Sequence, residues 1–337
     1  MPSTPEVSVV IPTYARPDLV TRAVRSVLAQ TITDIEVIVV VDGPDDETCD
    51  ALAAIGDGRV RVVVLAEKGG APNARNTGAR LARAPWTALL DDDDEWLPHK
   101  LAVQLAVART ASAARPIIAS RLLNRTPRAE FVMPRRLRDP GEPWSEYFTV
   151  RKGLFHGEGF IQTSTIMAPT ELLRLVPFAH RVPRMQELDW TLRALAVEGA
   201  ELLYADEPLV IWHQDEDRPR ISHEPKWQES LEWLRRSRPI LTPKAYAAIT
   251  MSVVSSMAAP TRSPKLFGTL LREAWRHGRP SAIDHVTFLQ IWLIPQGLRR
   301  TLRDRVLSRR RSAGASSPAA LPVRVPLHGD RVDGRSA

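Results

Sequence analysis

The stretch Trp86-Thr87-Ala88-Leu89-Leu90-Asp91-Asp92-Asp93-Asp94 decides the fold. Five residues read as a buried β-strand, and four carboxylates follow without a break. Adjacent carboxylates repel one another and cannot all be buried without a counter-charge. At the end of a buried strand the natural counter-charge is a hard divalent cation. Mg2+ or Mn2+ takes oxygen ligands, usually one or two protein carboxylates completed by diphosphate oxygens and water. Alternation along an extended chain predicts Asp91 and Asp93 on one side. A solvated acidic loop is the competing reading of such a run, and the position directly after an apolar strand favours the metal.

Working outward, Val7 to Ile11 is a β-branched run stopped by Pro12, which predicts a first buried strand. Leu19, Val20, Ala23, Val24, Val27 and Leu28 then recur at helical spacing behind Pro17. Ile35 to Val41 predicts a second strand, Thr48 to Ile55 a short helix, and Arg59 to Leu65 a third strand. Ala74 to Ala84 predicts a helix with Asn73 as its cap. Trp86 to Leu90 is the fourth strand, and Pro98 to Ala113 a further helix. Gln162 to Met167 reads as another strand, with a helix from Pro169 and a strong helix over Glu187 to Glu198.

Strands that alternate with helices and read as unbroken apolar runs imply parallel pairing covered on both faces. In such sheets ligands bind outside the carboxyl ends of the strands. Those ends carry Thr13-Tyr14, Asp42-Gly43, Lys68-Gly69-Gly70 and the four aspartates, so four loops are expected to meet at one crevice suited to a nucleotide.

Each loop has its own chemistry. Asp42 can accept a hydrogen bond from a ring N–H, or simply form an Asp-Gly turn. Tyr14 offers a face for base stacking. Lys68 to Gly78 is a glycine-containing loop entering a helix, in which Arg75 can face a phosphate or a base carbonyl beside the helix N-terminus. It lacks the Gly-Lys-Ser/Thr of a P-loop and the Gly-x-Gly-x-x-Gly fingerprint. Glu187 and Asp189 open a helix, where the dipole favours carboxylates. Either can deprotonate an acceptor hydroxyl if it comes within hydrogen-bond reach. His213 follows a strand-like run and is a candidate metal or phosphate ligand. Arg218 and Arg220, in the next loop, are candidates for a diphosphate contact.

The chain has 337 residues, 44% of them apolar and 25% charged, which suits one large domain with an appendage, or two domains. The single cysteine, Cys49, rules out an internal disulfide framework and points to a reducing compartment. Met1 to Val7 shows no secretory pattern, and no apolar run reaches the roughly 18 residues of a spanning helix. The net charge of +7 is uneven. From Ile240 onward 16 Lys/Arg face 5 Asp/Glu, whereas the first 239 residues carry a net −4. The segment Ile291 to Arg311 sets seven arginines among apolar residues. It reads as an amphipathic helix lying on a membrane surface, or as one packing its apolar face on the rest of the protein. Beyond Ala313 the composition argues for disorder.

Val7-Ser-Val-Val-Ile-Pro-Thr-Tyr-Ala-Arg16, Glu36-Val-Ile-Val-Val-Val-Asp-Gly43, Ala74-Arg-Asn-Thr-Gly78, Leu89-Leu-Asp-Asp-Asp-Asp-Glu-Trp96 and Gln186-Glu-Leu-Asp-Trp190 together resemble the family 2 glycosyltransferases of the GT-A fold. Order and spacing agree over roughly residues 5 to 225. The resemblance implies an α/β fold with a mixed, mostly parallel sheet and helices on both faces, followed here by a helical C-terminal region. The expected division is a catalytic domain over 1–230, helices over 231–312 and a disordered tail over 313–337. The resemblance further implies an inverting transfer from a nucleotide sugar with one divalent metal. Pro12, Thr13 and Tyr14 would line the base pocket and Asp42 would bind the base. Arg16, Arg75 and Asp92 would face the nucleotide. Asp93 would be the direct metal ligand, with Asp91 near the ribose or metal and His213 as a further candidate ligand. The catalytic base falls on Glu187, with Asp189 in reserve. Two departures are visible: the usual Asp-Asp-Gly-Ser is Val41-Asp42-Gly43-Pro44, and the base position holds Glu in place of Asp.

The expected activity is therefore a metal-dependent glycosyl transfer, using Mg2+ or Mn2+, from a UDP-sugar to a saccharide or lipid-linked acceptor. Cell-surface polysaccharide or glycolipid synthesis is the expected setting. The expected location is the cytoplasm, with peripheral contact at the inner face of the membrane through the basic C-terminal region. A sugar-1-phosphate nucleotidyltransferase would need a Gly- and Arg-rich loop where Pro12 to Arg16 stands. A non-catalytic nucleic-acid-binding protein would leave the acidic crevice unexplained, so no nucleic-acid partner is expected.

Overall fold

In the structure, a computed structural model, Val7–Thr13 (β1), Ile35–Val41 (β2), Val60–Val64 (β3) and Trp86–Leu89 (β4) are strands of one nine-stranded sheet. The residues described are 4–127, 129–153, 158–182, 184–214 and 226–294, and all lie in a unit that ends at Gln296. The remaining strands are Asp94–Trp96 (β5), Arg115–Thr126 (β6), Ala129–Met133 (β7), Met167–Pro169 (β8) and Ala200–His213 (β9). The sheet order is β3-β2-β1-β4-β8-β6-β9-β5, with β7 paired to β6. The first four strands are mutually parallel, β8 runs antiparallel to β4 and β6, and β9 runs parallel to β6. The sheet is thus mixed and mostly parallel along its N-terminal half, as the unbroken apolar runs required.

β1 and β2 are buried along their whole length. Their only charged residue, Glu36, is offset by a local network. It accepts from Ser8 Oγ at 2.6 Å, from the Arg83 amide at 2.7 Å and from Arg83 Nε at 2.9 Å. The chain leaves β1 toward β2 on one side and reaches β4 on the other. The β1–β4 gap is therefore a topological switch point, where α/β sheets bind ligands.

The helices follow in chain order as Pro17–Leu28 (α1), Asp46–Ala53 (α2), Ala71–Leu81 (α3), Lys100–Thr110 (α4), Trp144–Thr149 (α5), Thr170–Leu175 (α6) and Gln186–Ala194 (α7). After β9 come Trp227–Arg236 (α8), Pro243–Ile249 (α9), Ser255–Ala258 (α10), Pro264–His277 (α11) and Ala282–Leu293 (α12), with a wide π-turn at Thr250–Val254. One core lies between the sheet and α1 and α4, a second between the sheet's other face and α6 and α7. A third gathers α7 to α12 into a helical layer. Among the described residues no helix is long and apolar enough to cross a membrane.

Three local expectations are corrected. α3 begins at Ala71, not Ala74, because Gly70 at φ 84° turns the chain and Pro72 fits the first turn; Asn73 lies inside the helix and is not its cap. Gln162 to Met167 is not one strand: Thr163–Thr165 is a 3-10 turn capped by the Gln162 side chain, and only Met167–Pro169 pairs in the sheet. The aspartates do not continue β4 as an extended strand. Asp91 to Asp94 form a tight turn closed by the Asp94 amide donating to the Asp91 carbonyl at 3.1 Å. The tail beyond 294 and the loop with Arg218 and Arg220 lie outside the described residues, as do most of the expected amphipathic segment and the expected disordered tail.

Candidate active site

The strand ends meet as the parallel topology requires. A cleft of about 550 Å³ is lined by Pro12 to Tyr14 and Arg16 after β1, Asp42 after β2, Lys68 and Gly70 before α3, and Asp91 to Asp93 after β4. Arg75 of α3 and Glu187 of α7 complete its inner wall. Trp212 and Gln214 at the end of β9 and Val253 of the π-turn close the far side.

Asp42 is buried, and its two carboxylate oxygens accept from the amides of Gly69 and Gly70, both at 2.8 Å. It therefore shapes the glycine loop while retaining lone pairs for a ring N–H. Tyr14 is 38% exposed at the mouth of the cleft, and Lys68 Nζ stands 3.7 Å from the centre of its ring. Ala15 adopts φ 52°, and its amide donates to Asp45 at 2.6 Å, which fixes the turn between Tyr14 and Arg16.

The aspartate turn is held by two arginines. Arg75 donates to Asp91 at 2.6 Å and to Gln186 at 2.8 Å, joining α3, β4 and α7. Arg16 pairs with Asp92 at 2.9 Å and lies 3.5 Å from Asp93. Asp92 also accepts from Thr13 Oγ1 at 2.9 Å. Burial pushes the Asp92 carboxyl up to about 6, although Arg16 pulls the other way. Asp94 is fully buried, bound to Gln162 at 2.7 Å and Ser164 at 2.6 Å, and burial next to Asp93 and Asp91 raises its carboxyl well above the usual range. Asp94 thus anchors the turn from below, while Asp91 to Asp93 face the cleft.

The two candidate bases part company. Glu187 lines the cleft, and burial raises its carboxyl above the ordinary glutamate value. Asp189 is buried behind it. It accepts from Arg193 Nε at 2.8 Å within α7 and from the Trp233 indole of α8 at 2.8 Å, so both oxygens are engaged and one of them ties α7 to α8. Residues two apart leave a helix on different faces, and here that separation takes Asp189 out of the cleft. His213 is not among the cleft-lining residues. Its Nε2 meets Glu95 at 2.6 Å, beside β5.

Two cleft residues, Gln162 and Arg184, escaped sequence reasoning, and Lys68 was placed at the crevice without a role. Gln162 reaches Asp94 and also Asp91, at 3.2 Å. Lys68 covers Tyr14. Arg184 lines the cleft, and burial lowers its pKa; among the described residues no carboxylate partners it. Its only signal in the sequence is a cation three residues before Glu187, too common a pattern to single out.

The metal expectation can be tested against the donor set. Among the described residues no group of three His, Cys, Asp or Glu side chains is arranged to hold an ion. Asp91 and Asp93 nevertheless offer hard oxygen donors in one cleft, and Mg2+ and Mn2+ are commonly held by one or two carboxylates with substrate oxygens and water. The residues fit a cation shared with a bound diphosphate, not a closed protein cage.

The family model described as Glycosyl transferase family 2 matches residues 8–158. The amylovoran biosynthesis glycosyltransferase AmsB of Erwinia amylovora is 29% identical over 250 residues, covering 70% of this chain and 78% of AmsB. The UDP-Glc:alpha-D-GlcNAc-diphosphoundecaprenol beta-1,3-glucosyltransferase WfaP of Escherichia coli is 34% identical over 104 residues, 31% of this chain and 41% of WfaP. Matches to other curated relatives likewise span 31% and 44% of their lengths. Among solved structures, S. aureus TarS 1-349 in complex with UDP-GlcNAc superposes with a TM-score of 0.50 at 15% identity, covering 85% of this chain and 79% of that one. The motifs at the strand ends, the sheet order and these likenesses agree: residues 8–158 match the family 2 glycosyltransferases, and the chain has the GT-A fold.

Proposed function

We propose that this chain transfers a sugar from a nucleoside-diphosphate donor, a UDP-sugar, to an acceptor hydroxyl with inversion at the anomeric carbon. The observation that carries the reading is the meeting of Tyr14, Asp42, Arg75, Asp91 to Asp93 and Glu187 in one cleft at the sheet's switch point. Tyr14 and Asp42 would receive the base, Tyr14 by its ring face and Asp42 by its spare lone pairs. Arg16 and Arg184 border the place a diphosphate would occupy, and the half-buried Arg184, with no carboxylate partner among the described residues, would gain a counter-charge from it.

Asp93 and Asp91 would hold Mg2+ or Mn2+. Bound there, the ion would stabilise charge on the departing diphosphate as a Lewis acid. Glu187 would take the proton from the acceptor hydroxyl as it attacks. Its raised pKa suits that work, because a base is most effective when its pKa lies near the working pH. The Thr13 and Arg16 contacts hold the aspartate turn in register with the cleft while the leaving group departs.

The named relatives act in amylovoran biosynthesis and on a diphosphoundecaprenol-linked sugar. By analogy the acceptor here is a growing cell-surface saccharide on a lipid diphosphate, and the protein works in the cytoplasm at the inner membrane face. The test is nucleotide release across UDP-, GDP- and dTDP-sugars with Mn2+ or Mg2+. UDP release from one donor is the expected result, and Asp93→Ala should abolish it. Near-normal turnover by Asp93→Ala would remove the metal role from Asp93.

A further inference from the structure

A second cavity, of about 370 Å³, opens in the helical layer and shares no lining residue with the cleft. Its wall on one side is a single face of α11, where Arg272, Glu273 and Arg276 succeed one another at helical spacing. Arg235 of α8 and Arg238 just beyond it form the other side, and Tyr246 of α9 forms the base.

The charge in this cavity is unbalanced. Four guanidinium groups face one carboxylate, and that carboxylate is already spent. Glu273 is buried, takes both Arg235 contacts at 3.0 and 2.8 Å, and accepts the Tyr246 hydroxyl at 2.7 Å. The Arg235 contacts hold the Glu273 carboxyl below its ordinary range, so it stays ionised and bound. Among the described residues, Arg238, Arg272 and Arg276 have no carboxylate partner. Arg272 and Arg276, four apart on one helix, also repel each other. The buried Glu273 and Tyr246, bonded to the exposed Arg235, thus underlie an open hollow ringed by three guanidinium groups that have no carboxylate partner among the described residues.

Guanidinium groups converging on one hollow match the tetrahedral oxygens of a phosphoryl group, which accepts several N–H bonds at once. We propose that this cavity is a second anion site, which binds a phosphate or diphosphate group, separate from the cleft. The proposal does not depend on the reading of the cleft. The cavity and the cleft are nonetheless joined along one stretch of chain: Tyr246 lies at the base of the cavity, and Val253, seven residues on, lines the cleft. At about 1.5 Å per helical residue, that is roughly 10 Å.

The experiment is calorimetric titration of the full chain with inorganic pyrophosphate, without divalent metal, for wild type, Arg272→Ser/Arg276→Ser and Arg184→Ala. Arg272 and Arg276 are exposed, so the double variant should melt as wild type does, and a melt alongside checks this. The site predicts saturable binding that survives Arg184→Ala and weakens roughly tenfold or more in the double variant. Cosedimentation with phosphatidylglycerol and with phosphatidylcholine vesicles identifies the source. Loss of phosphatidylglycerol binding in the double variant marks a lipid headgroup, and loss of pyrophosphate binding alone marks a soluble phosphate. Pyrophosphate binding by the double variant equal to that of wild type would overturn the proposal.

Discussion

Arg75 and Asp91 meet at 2.6 Å, and the same guanidinium reaches Gln186, one residue before Glu187. The first aspartate of the cleft and the start of the helix carrying the candidate base are therefore held by a single planar group. Lysine has the charge but not the fork. Arg75→Lys should lower the rate of nucleotide release roughly tenfold, because Asp91 and Gln186 can no longer be bridged at once. Steady-state rates beside a thermal melt check this; full activity would show that the bridge is incidental.

Glu187 and Asp189 give opposite expectations. Glu187→Gln keeps the shape but cannot accept a proton, and should lower transfer by about a hundred- to ten-thousand-fold with little change in stability. Asp189→Asn should instead cost about 1–3 kcal/mol of stability, since it weakens the bonds to Arg193 and Trp233. Burial raises the Glu187 carboxyl, so protonation disables it at a higher pH than an ordinary glutamate. The acid limb of the rate profile should accordingly lie above 4.5, the ordinary glutamate value.

Lys100 is fully buried, with Nζ 3.8 Å from the Trp96 ring centre and 2.5 Å from Gln104 Oε1. Burial drives its pKa well below the ordinary 10.5. Between the lowered value and 10.5 the unfolded chain binds the proton and the folded chain does not, so stability rises with pH across that window. Lys100→Met should flatten this rise. Denaturant titrations from neutral to mildly alkaline pH measure the two slopes, and equal slopes would contradict the prediction.

Gly78 lies on α3 where a Cβ would run into the Val10 side chain on β1. Gly78→Ala should cost about 1–3 kcal/mol through overpacking, because a central strand has no room to retreat. Chemical denaturation of the two proteins checks it.

Much of this was legible in the sequence. The apolar runs of β1, β2 and β4 admit one placement only, and parallel pairing then brings their polar ends together. Tyr14, Asp42 and Asp91 to Asp93 could be named for that reason, whereas the choice of Glu187, with Asp189 in reserve, came from the family resemblance. The separation of Glu187 from Asp189 was not legible. It depends on Trp233, 44 residues away, whose indole claims one carboxylate. The 3-10 turn at Thr163–Thr165 was hidden because its threonines and Ile166 carry strand propensity, while the Gln162 side chain bonding the Ser164 amide decides the matter locally. The start of α3 was misplaced because a positive φ at Gly70 is a backbone property that composition does not announce. Arg75 was expected to face a nucleotide; its ion pair with Asp91 joins two segments 16 residues apart and has no sequence signature.

The cleft draws its two sides from different parts of the chain. Everything from Pro12 to Asp93 lies within the stretch matched by the family model, whereas Arg184, Glu187, Trp212, Gln214 and Val253 lie beyond it. Val253 arrives on the widened turn of a helix whose neighbours belong to the separate helical core. Trp212 on that bank still packs on the first core and Arg75 ties Gln186 to Asp91, so a change in the helical layer would reshape the groove at Val253 while the strand-end loops keep their own support.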